Sequence, residues 1–224
     1  MTTAHKYKAL TRDEIARRAE RDIPDGTYIN LGIGIPTKIA RFVSSEKTVF
    51  FHSENGVIGF EEVKEGSGDP DLINAGKIPI KLLKGAALFH HADSFAMMRA
   101  GHVDMCFLGA LQVAFNGDIA NWATGEPDDV PSVGGAMDLV AGVKKIMVLT
   151  HHQTKEGESK LVSKCTYPLT AKAVVERVYT DLAVLDTSKN GFIVREMVQG
   201  LSREELQAMT DAPLVFPDEV KVLS

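Results

Sequence analysis

The segment His52-Ser53-Glu54-Asn55-Gly56 gathers residue types that could do chemistry. Glu54 follows Thr48–Phe51, a short run of β-branched and aromatic residues that predicts a buried strand ending at a polar turn. Active sites of open α/β sheets collect where strands end and loops begin. A carboxylate is ionised at neutral pH and needs no base to act as a nucleophile; its difficulty is low intrinsic reactivity. Ser53, Asn55 and Gly56 could hold that carboxylate and permit an unusual backbone geometry around it. The plainer reading of Glu54 is a solvated charge on a loop.

Two glycine loops are the next candidates. Gly32-Ile33-Gly34-Ile35-Pro36 follows a predicted strand over Thr27–Leu31 and opens a predicted helix from Pro36 to Val43. Thr37 stands where the third glycine of a G-x-G-x-x-G fingerprint would fall, which argues against a standard dinucleotide pyrophosphate site. The loop could still bring N–H groups to an anion or a developing oxyanion, or be a tight turn with no ligand. Gly134-Gly135-Ala136, after Pro131, opens another helical pattern and has the same two readings.

Other reactive side chains point elsewhere. His90-His91 and His151-His152 are adjacent pairs whose members face different sides of a regular element, and no spacing specifies a third ligand, so no metal site is expected. Ser53 and Ser94 lie outside any G-x-S-x-G elbow. Cys106 sits in an apolar run and Cys165 has no specified base partner, which makes thiol catalysis the weaker case.

The elements that must position these residues are legible as patterns. Thr11-Arg12-Asp13-Glu14 has capping-box spacing ahead of Ile15, Ala16 and Ala19, which predicts a helix to Asp22; Ser202–Glu205 predicts another, to Met209. Lys81–Lys84, Val103–Leu108, Lys145–Thr150, Leu182–Leu185 and Phe192–Val198 read as strands. Ser94–Arg99, Gly135–Ala141 and Ala171–Val178 read as helices, and Glu61–Gly76, with no clear period, as a long surface loop. This alternation predicts an α/β fold with an open, mostly parallel sheet flanked by helices on both faces. No repeat or low-complexity linker divides residues 1–224, so one domain is expected, with a C-terminal tail packed on this chain or on a partner.

Composition narrows the function classes. A chain of 224 residues buries about 70% of its surface on folding and needs neither metal nor disulfide to hold its core. Twenty-five Lys and Arg against thirty Asp and Glu, a net charge of −5, speak against a duplex nucleic-acid binder. No run of apolar residues is long enough to span a membrane, and the N-terminal residues lack a secretory pattern. Two distant cysteines fit a reducing, cytoplasmic setting.

Phe51-His-Ser-Glu-Asn-Gly-Val-Ile-Gly59 resembles the active-site signature of the B (beta) subunits of the 3-oxoacid coenzyme A transferases. The resemblance continues through Gly32–Pro36, Gly117–Trp122, Gly134–Val140, Lys164–Thr170 and Thr180–Val184, and covers roughly residues 10–215. His90–Phe95 and Gly157–Val162 are most similar to the branch acting on 3-oxoadipate, with acetoacetate-using members close by. The Glu- and Lys-containing segment Gly59–Gly68 departs from the family pattern; if it borders the pocket, acceptor preference is expected to differ.

The resemblance implies the coenzyme A transferase fold and a covalent mechanism in which Glu54 attacks the thioester of succinyl-CoA and becomes a glutamyl-CoA thioester. It implies Gly32, Gly34, Gly134, Gly135 and Ala136 as oxyanion or CoA-binding loops, with Ser53, Asn55 and Gly56 in support. Coenzyme A and succinyl-CoA are then substrates, with no permanently bound cofactor. The implied partner is an A subunit in an A2B2 heterotetramer, its site near the A/B contact. A noncatalytic acyl-CoA binding module and a thioester hydrolase using Glu54 as base are the alternatives.

Overall fold

Both capping boxes form as the spacing predicts. In helix α1 (Arg12–Glu20) the Thr11 hydroxyl accepts the Glu14 N–H at 3.2 Å and the Glu14 carboxylate accepts the Thr11 N–H at 2.7 Å. The computed structural model describes residues 7–64, 66–125 and 133–224; the start of the chain, Glu65 and Pro131 lie outside them.

Strand β1 (Thr27–Leu31) leads through the glycine loop into a short helical segment, Pro36–Arg41. This segment is a 3-10 helix rather than the expected longer helix to Val43: Pro36 opens it, but Ile35 offers no side-chain cap. Strand β2 (Val49–Ser53) carries the chain to Glu54, and the turn there reverses it into β3 (Val57–Glu62) and β4 (Ile80–Leu88). Glu61 and Glu62 therefore belong to a strand, not to the loop expected from Glu61 onward. The loop proper is closed by an isolated bridge between Ile73 and Pro79.

Helix α2 (His91–Arg99) and strand β5 (Met105–Leu108) follow, then β6 (Gln112–Ala114) and β7 (Ile119–Ala120), helix α3 (Ala136–Gly142) and strand β8 (Lys145–Leu149). Beyond these lie β9 (Leu161–Val162), β10 (Val175–Tyr179), β11 (Ala183–Asp186), β12 (Phe192–Val198), helix α4 (Arg203–Ala208), β13 (Leu214–Val215) and β14 (Lys221–Leu223).

No helix forms over Ala171–Val178: Ala171 makes an isolated bridge with Ile119, and the second half of the segment is β10. Val175 and Val178, three apart, are both buried, which imitates a helical face. A register shift between Val175 and Arg177 produces that spacing within a strand paired to β8 and β11.

The main sheet has eleven strands in the order β13-β12-β11-β10-β8-β5-β1-β2-β3-β4, with β14 also on β12. Its middle, β10-β8-β5-β1-β2, is parallel; β11 and β12 extend one side, and β3 and β4 the other, by antiparallel pairing. The expected C-terminal tail pairs with β12 through β13 and β14. A small second sheet, β7-β6-β9, covers a satellite cluster of Ala114, Ala120, Val162 and Cys165.

From β1 the chain steps to β2 on one side, then returns to β5 and β8 on the other. Right-handed crossovers place the connections of these opposite steps on opposite faces. Accordingly α1 packs with the 3-10 helix and α2 packs with α3. The order reverses between β1 and β5, and in open α/β sheets that switch point is where a crevice forms at the carboxyl ends of the strands.

Candidate active site

A cavity of about 400 Å³ occupies this switch point. Its floor is the carboxyl ends of β1 and β5, including Asn30, Gly32, Leu108 and Gly109; Glu54 stands on one side and Gly134, Gly135 and Ala136 on another. The size is within the range of small-molecule sites.

Glu54 is held from beneath by its neighbours. The Ser53 hydroxyl accepts the Ala75 N–H at 2.9 Å, and the Asn55 amide donates to the Ile73 carbonyl at 2.7 Å, so both tie the turn to the loop before β4. Gly56 adopts φ +105°, and a Cβ there would overlap the Phe89 carbonyl oxygen. Only glycine meets both conditions without strain.

A buried polar chain lies one layer below. The Asn30 amide nitrogen, which only donates, is 3.1 Å from His52 Nδ1, so Nδ1 accepts and the proton sits on Nε2. His52 Nε2 is 2.9 Å from Ser94 Oγ, whose hydroxyl donates to the Ser53 carbonyl at 3.3 Å. Burial pushes the His52 pKa down to about 4, in keeping with a neutral ring. Ser94 is thus a fully buried link in this chain, and the backbone just before Glu54 hangs from it.

The Glu54 carboxyl group is pushed above the ordinary carboxylate range by desolvation, with His91 drawing it down and Asp138 pushing it further up. No cationic side chain among the described residues makes an ion pair with it. Gly135 lies directly against it: a Cβ at that position would overlap Glu54 Oε2 and come within 3.5 Å of the Phe95 ring.

Of the loop residues, Gly135, Gly134 and Ala136 border the cavity with Glu54. The Ala136 N–H points to the Val133 carbonyl at 3.3 Å. Gly32 also borders the cavity, but its N–H is taken by the Phe107 carbonyl at 2.8 Å, and a Cβ there would stand 3.0 Å from that oxygen. Gly34 does not line the cavity; its carbonyl accepts the Thr37 hydroxyl.

The remaining sequence candidates are dispersed. His90 caps α2 by accepting the Ala92 N–H. His152 is buried between the Thr180 and Thr210 hydroxyls. Among the described residues no group of His, Cys, Asp or Glu could hold a metal ion, and no helix is long and apolar enough to cross a membrane. Cys106 is buried in β5, and burial with the nearby Glu54 charge raises its thiol pKa strongly, leaving it a poor nucleophile. Sequence reading missed Asn30, and it gave His52 and Phe95 no role of their own because their contacts are with neighbours far along the chain; the Gly59–Gly68 segment it singled out does border the cavity, through Phe60 and Glu62.

A family model described as coenzyme A transferase matches residues 12–208. The chain belongs to the coenzyme A transferase family. Among the relatives of this coenzyme A transferase, the 3-oxoadipate CoA-transferase B subunit of Acinetobacter baylyi is 56% identical over 210 residues, 93% of this chain and 97% of that protein. The succinyl-CoA:3-ketoacid coenzyme A transferase B subunit of Helicobacter pylori is 46% identical over 202 residues, 90% of this chain and 97% of that one. The crystal structure of an acyl-CoA transferase from Escherichia coli O157:H7 superposes with a TM-score of 0.75 at 18% identity, covering all of this chain and 44% of that one. That likeness establishes the shared fold, and this chain spans less than half of the larger transferase.

Proposed function

We propose that this chain is the B subunit of a CoA-transferase that moves CoA from succinyl-CoA to a 3-oxoacid through Glu54. The observation that carries the reading is the Glu54 carboxylate itself, half-buried in the switch-point cavity and in contact with Gly135, where a Cβ would displace Oε2. The acceptor first in line is 3-oxoadipate, as in the names of relatives 56% and 52% identical.

In this reading Glu54 attacks the thioester carbonyl of succinyl-CoA, expelling CoA thiolate and leaving a succinyl-glutamyl anhydride. The thiolate attacks the glutamyl carbonyl, releases succinate and leaves a glutamyl-CoA thioester. The acceptor carboxylate then attacks that thioester, and the returning thiolate takes the acyl group and frees Glu54. Desolvation of Glu54 raises its reactivity, and exclusion of water protects the anhydride from hydrolysis. Each attack puts negative charge on a carbonyl oxygen, for which the Gly134-Gly135-Ala136 loop is the candidate donor surface on this chain. Gly32 shapes the wall through close packing on β5, and Gly34 acts only in the turn behind it.

The site calls for a partner. Ile33 lines the cavity yet is 79% exposed, and Met137, next to Ala136, is 57% exposed. An A subunit covering these side chains, in an A2B2 assembly, would dry the cavity and add the CoA surface. Two free buried cysteines suit a cytoplasmic setting.

The test is to co-purify the chain with its A subunit, add succinyl-CoA, and digest for mass spectrometry. A CoA adduct on the Glu54 peptide, removed by hydroxylamine, supports the reading; transfer at full rate by Glu54→Ala overturns it. Free CoA formed at the same rate with no acceptor present would favour a hydrolase instead.

A further inference from the structure

Helix α2 touches both halves of the site. From it Ser94, fully buried, reaches the strand that ends at Glu54, and the adjacent Phe95 reaches the loop that faces Glu54. On the first side every proton has one place. The Asn30 amide donates to the His52 carbonyl at 3.2 Å as well as to Nδ1, and a carbonyl can only accept, which fixes the amide's orientation. Nδ1 therefore accepts, Nε2–H donates to Ser94 Oγ, and the Ser94 hydroxyl is left to donate to the Ser53 carbonyl. That carbonyl also accepts the Gly56 N–H at 3.0 Å, so the hydroxyl closes onto the turn that carries Glu54. On the second side, the Phe95 ring lies 3.5 Å from where a Gly135 Cβ would stand. Helix α2 is clasped to α3 as well: a Cβ at Gly142 would overlap the Met98 carbonyl oxygen, and Arg99 pairs with Asp138 at 2.6 Å.

We propose that Ser94 is a positioning residue for the transfer: through His52 and the Ser53 carbonyl it sets where the Glu54 carboxylate stands against the Gly134-Gly135-Ala136 loop. The relay has no second solution. Without Ser94 Oγ the His52 Nε2–H becomes an unpaired buried donor, and its proton cannot shift to Nδ1 because the Asn30 NH2 group already points there. The ring must then move, two residues before Glu54. The ties from Ser53 to Ala75 and from Asn55 to Ile73 run to the loop before β4, so they do not restore the placement against α3. A reacting group displaced by about 1 Å reacts far more slowly. Ser94 itself does not line the cavity and acts only through Glu54. This inference rests on the transferase reading and adds to it a residue that touches no substrate.

The experiment follows formation of the Glu54 adduct from succinyl-CoA, with no acceptor present, in the co-purified A/B enzyme by rapid quench and mass spectrometry. Ser94→Ala is expected to slow the step about tenfold at saturating succinyl-CoA, with the half-saturating concentration held within about twofold. Thr210→Ala is the control: it takes a hydroxyl from buried His152, away from the cavity lining, and is expected to lower the melting temperature without slowing the adduct. Equal slowing by Thr210→Ala, or a wild-type rate in Ser94→Ala, overturns the proposal. Combined with Gly135→Ala, the two losses are expected to fall short of multiplying, because both act on the placement of one carboxylate; full multiplication overturns it. If Ser94→Ala fails to assemble, Ser94→Cys, which keeps a side chain of similar size with a weaker donor, is measured in its place and judged by the same outcomes. A wild-type enzyme that forms the adduct while Ser94→Ala forms it equally fast sinks this inference alone; a wild-type enzyme that forms none sinks the transferase reading and this inference with it.

Discussion

Where α1 meets β10, β11 and β12, the guanidinium groups of Arg18, Arg177 and Arg195 interleave with Asp22, Asp186 and Glu196. Tyr179 adds a hydrogen bond to Asp22 at 2.6 Å. In the cavity, by contrast, Glu54 and Glu62 are half-buried with no cation of the described residues among the lining. Both regions remove charge from water, and the pKa directions record the difference. For Asp22 and Asp186 burial pushes upward, but the Tyr179 and arginine bonds outweigh it and lower them; for Glu54 and Glu62 burial wins. Matched charge fastens the helix to the sheet, whereas charge without a partnering cation in the cavity lining is a stability cost, the pattern expected of the reactive carboxylate proposed for Glu54.

The sharpest way to break this comparison is to neutralise Glu54. Glu54→Gln is expected to lower transfer by at least about 10³-fold, roughly 4 kcal/mol of barrier, while raising the melting temperature because a desolvated charge is gone. A lowered melting temperature would place Glu54 with the stabilising charges instead. On the other side, Arg177→Met takes one guanidinium from each of Asp22 and Asp186 while leaving Arg18, Tyr179 and Arg195 in place, and urea unfolding is expected to show a loss of about 2 kcal/mol with turnover per folded enzyme kept. A loss below about 0.5 kcal/mol would mean the network behaves like an exposed ion pair.

Gly135→Ala probes the contact between backbone and carboxylate. Displacing Glu54 Oε2 is expected to cut turnover about 10²-fold with little change in unfolding, since misplacement of a reacting group by about 1 Å is costly. Equal turnover would show that the carboxylate is free to move.

The smallest effect is in the pH dependence of stability, and its sign differs between the regions. Asp22 and Asp186 have lowered folded-state values, so their contribution is present above the unfolded value of 3.8 and is lost as pH falls through the folded ones. Glu54 and Glu62 are raised, so their penalty is absent below the unfolded value of 4.5 and grows as pH rises toward the folded values. Urea midpoints across pH should therefore lose part of the acid limb in Arg177→Met and gain at neutral pH in the Glu54→Gln, Glu62→Gln double variant.

Much of the frame was legible because its signals are local. The Thr11 and Ser202 capping boxes need only residues three apart, and both form as read. Strands β1, β8 and β12 were visible as apolar runs within a residue of their bounds, and their alternation with helices implied the sheet. The misreadings share a cause. Ala171–Val178 carries helical spacing only because a bulge shifts its register against β8, a partner far along the chain. The 3-10 helix after Pro36 is short for want of a cap, and β3 was hidden because Gly59, Glu61 and Glu62 are poor strand formers held by pairing with β2 and β4.

At the site the division is the same. The strand end and the turn chemistry of Asn55-Gly56 made Glu54 a candidate against the plainer reading of a solvated charge, and the resemblance of Phe51–Gly59 to the transferase signature singled it out. Tertiary structure decided everything that depends on approach: that Gly135 abuts the carboxylate, that Asn30 and Ser94 suspend the turn through His52, and that Glu62 faces the cavity while Glu61 faces water. The reason is physical. Backbone preferences act over a few residues, whereas desolvation and charge proximity are set by whichever distant segments the fold packs together.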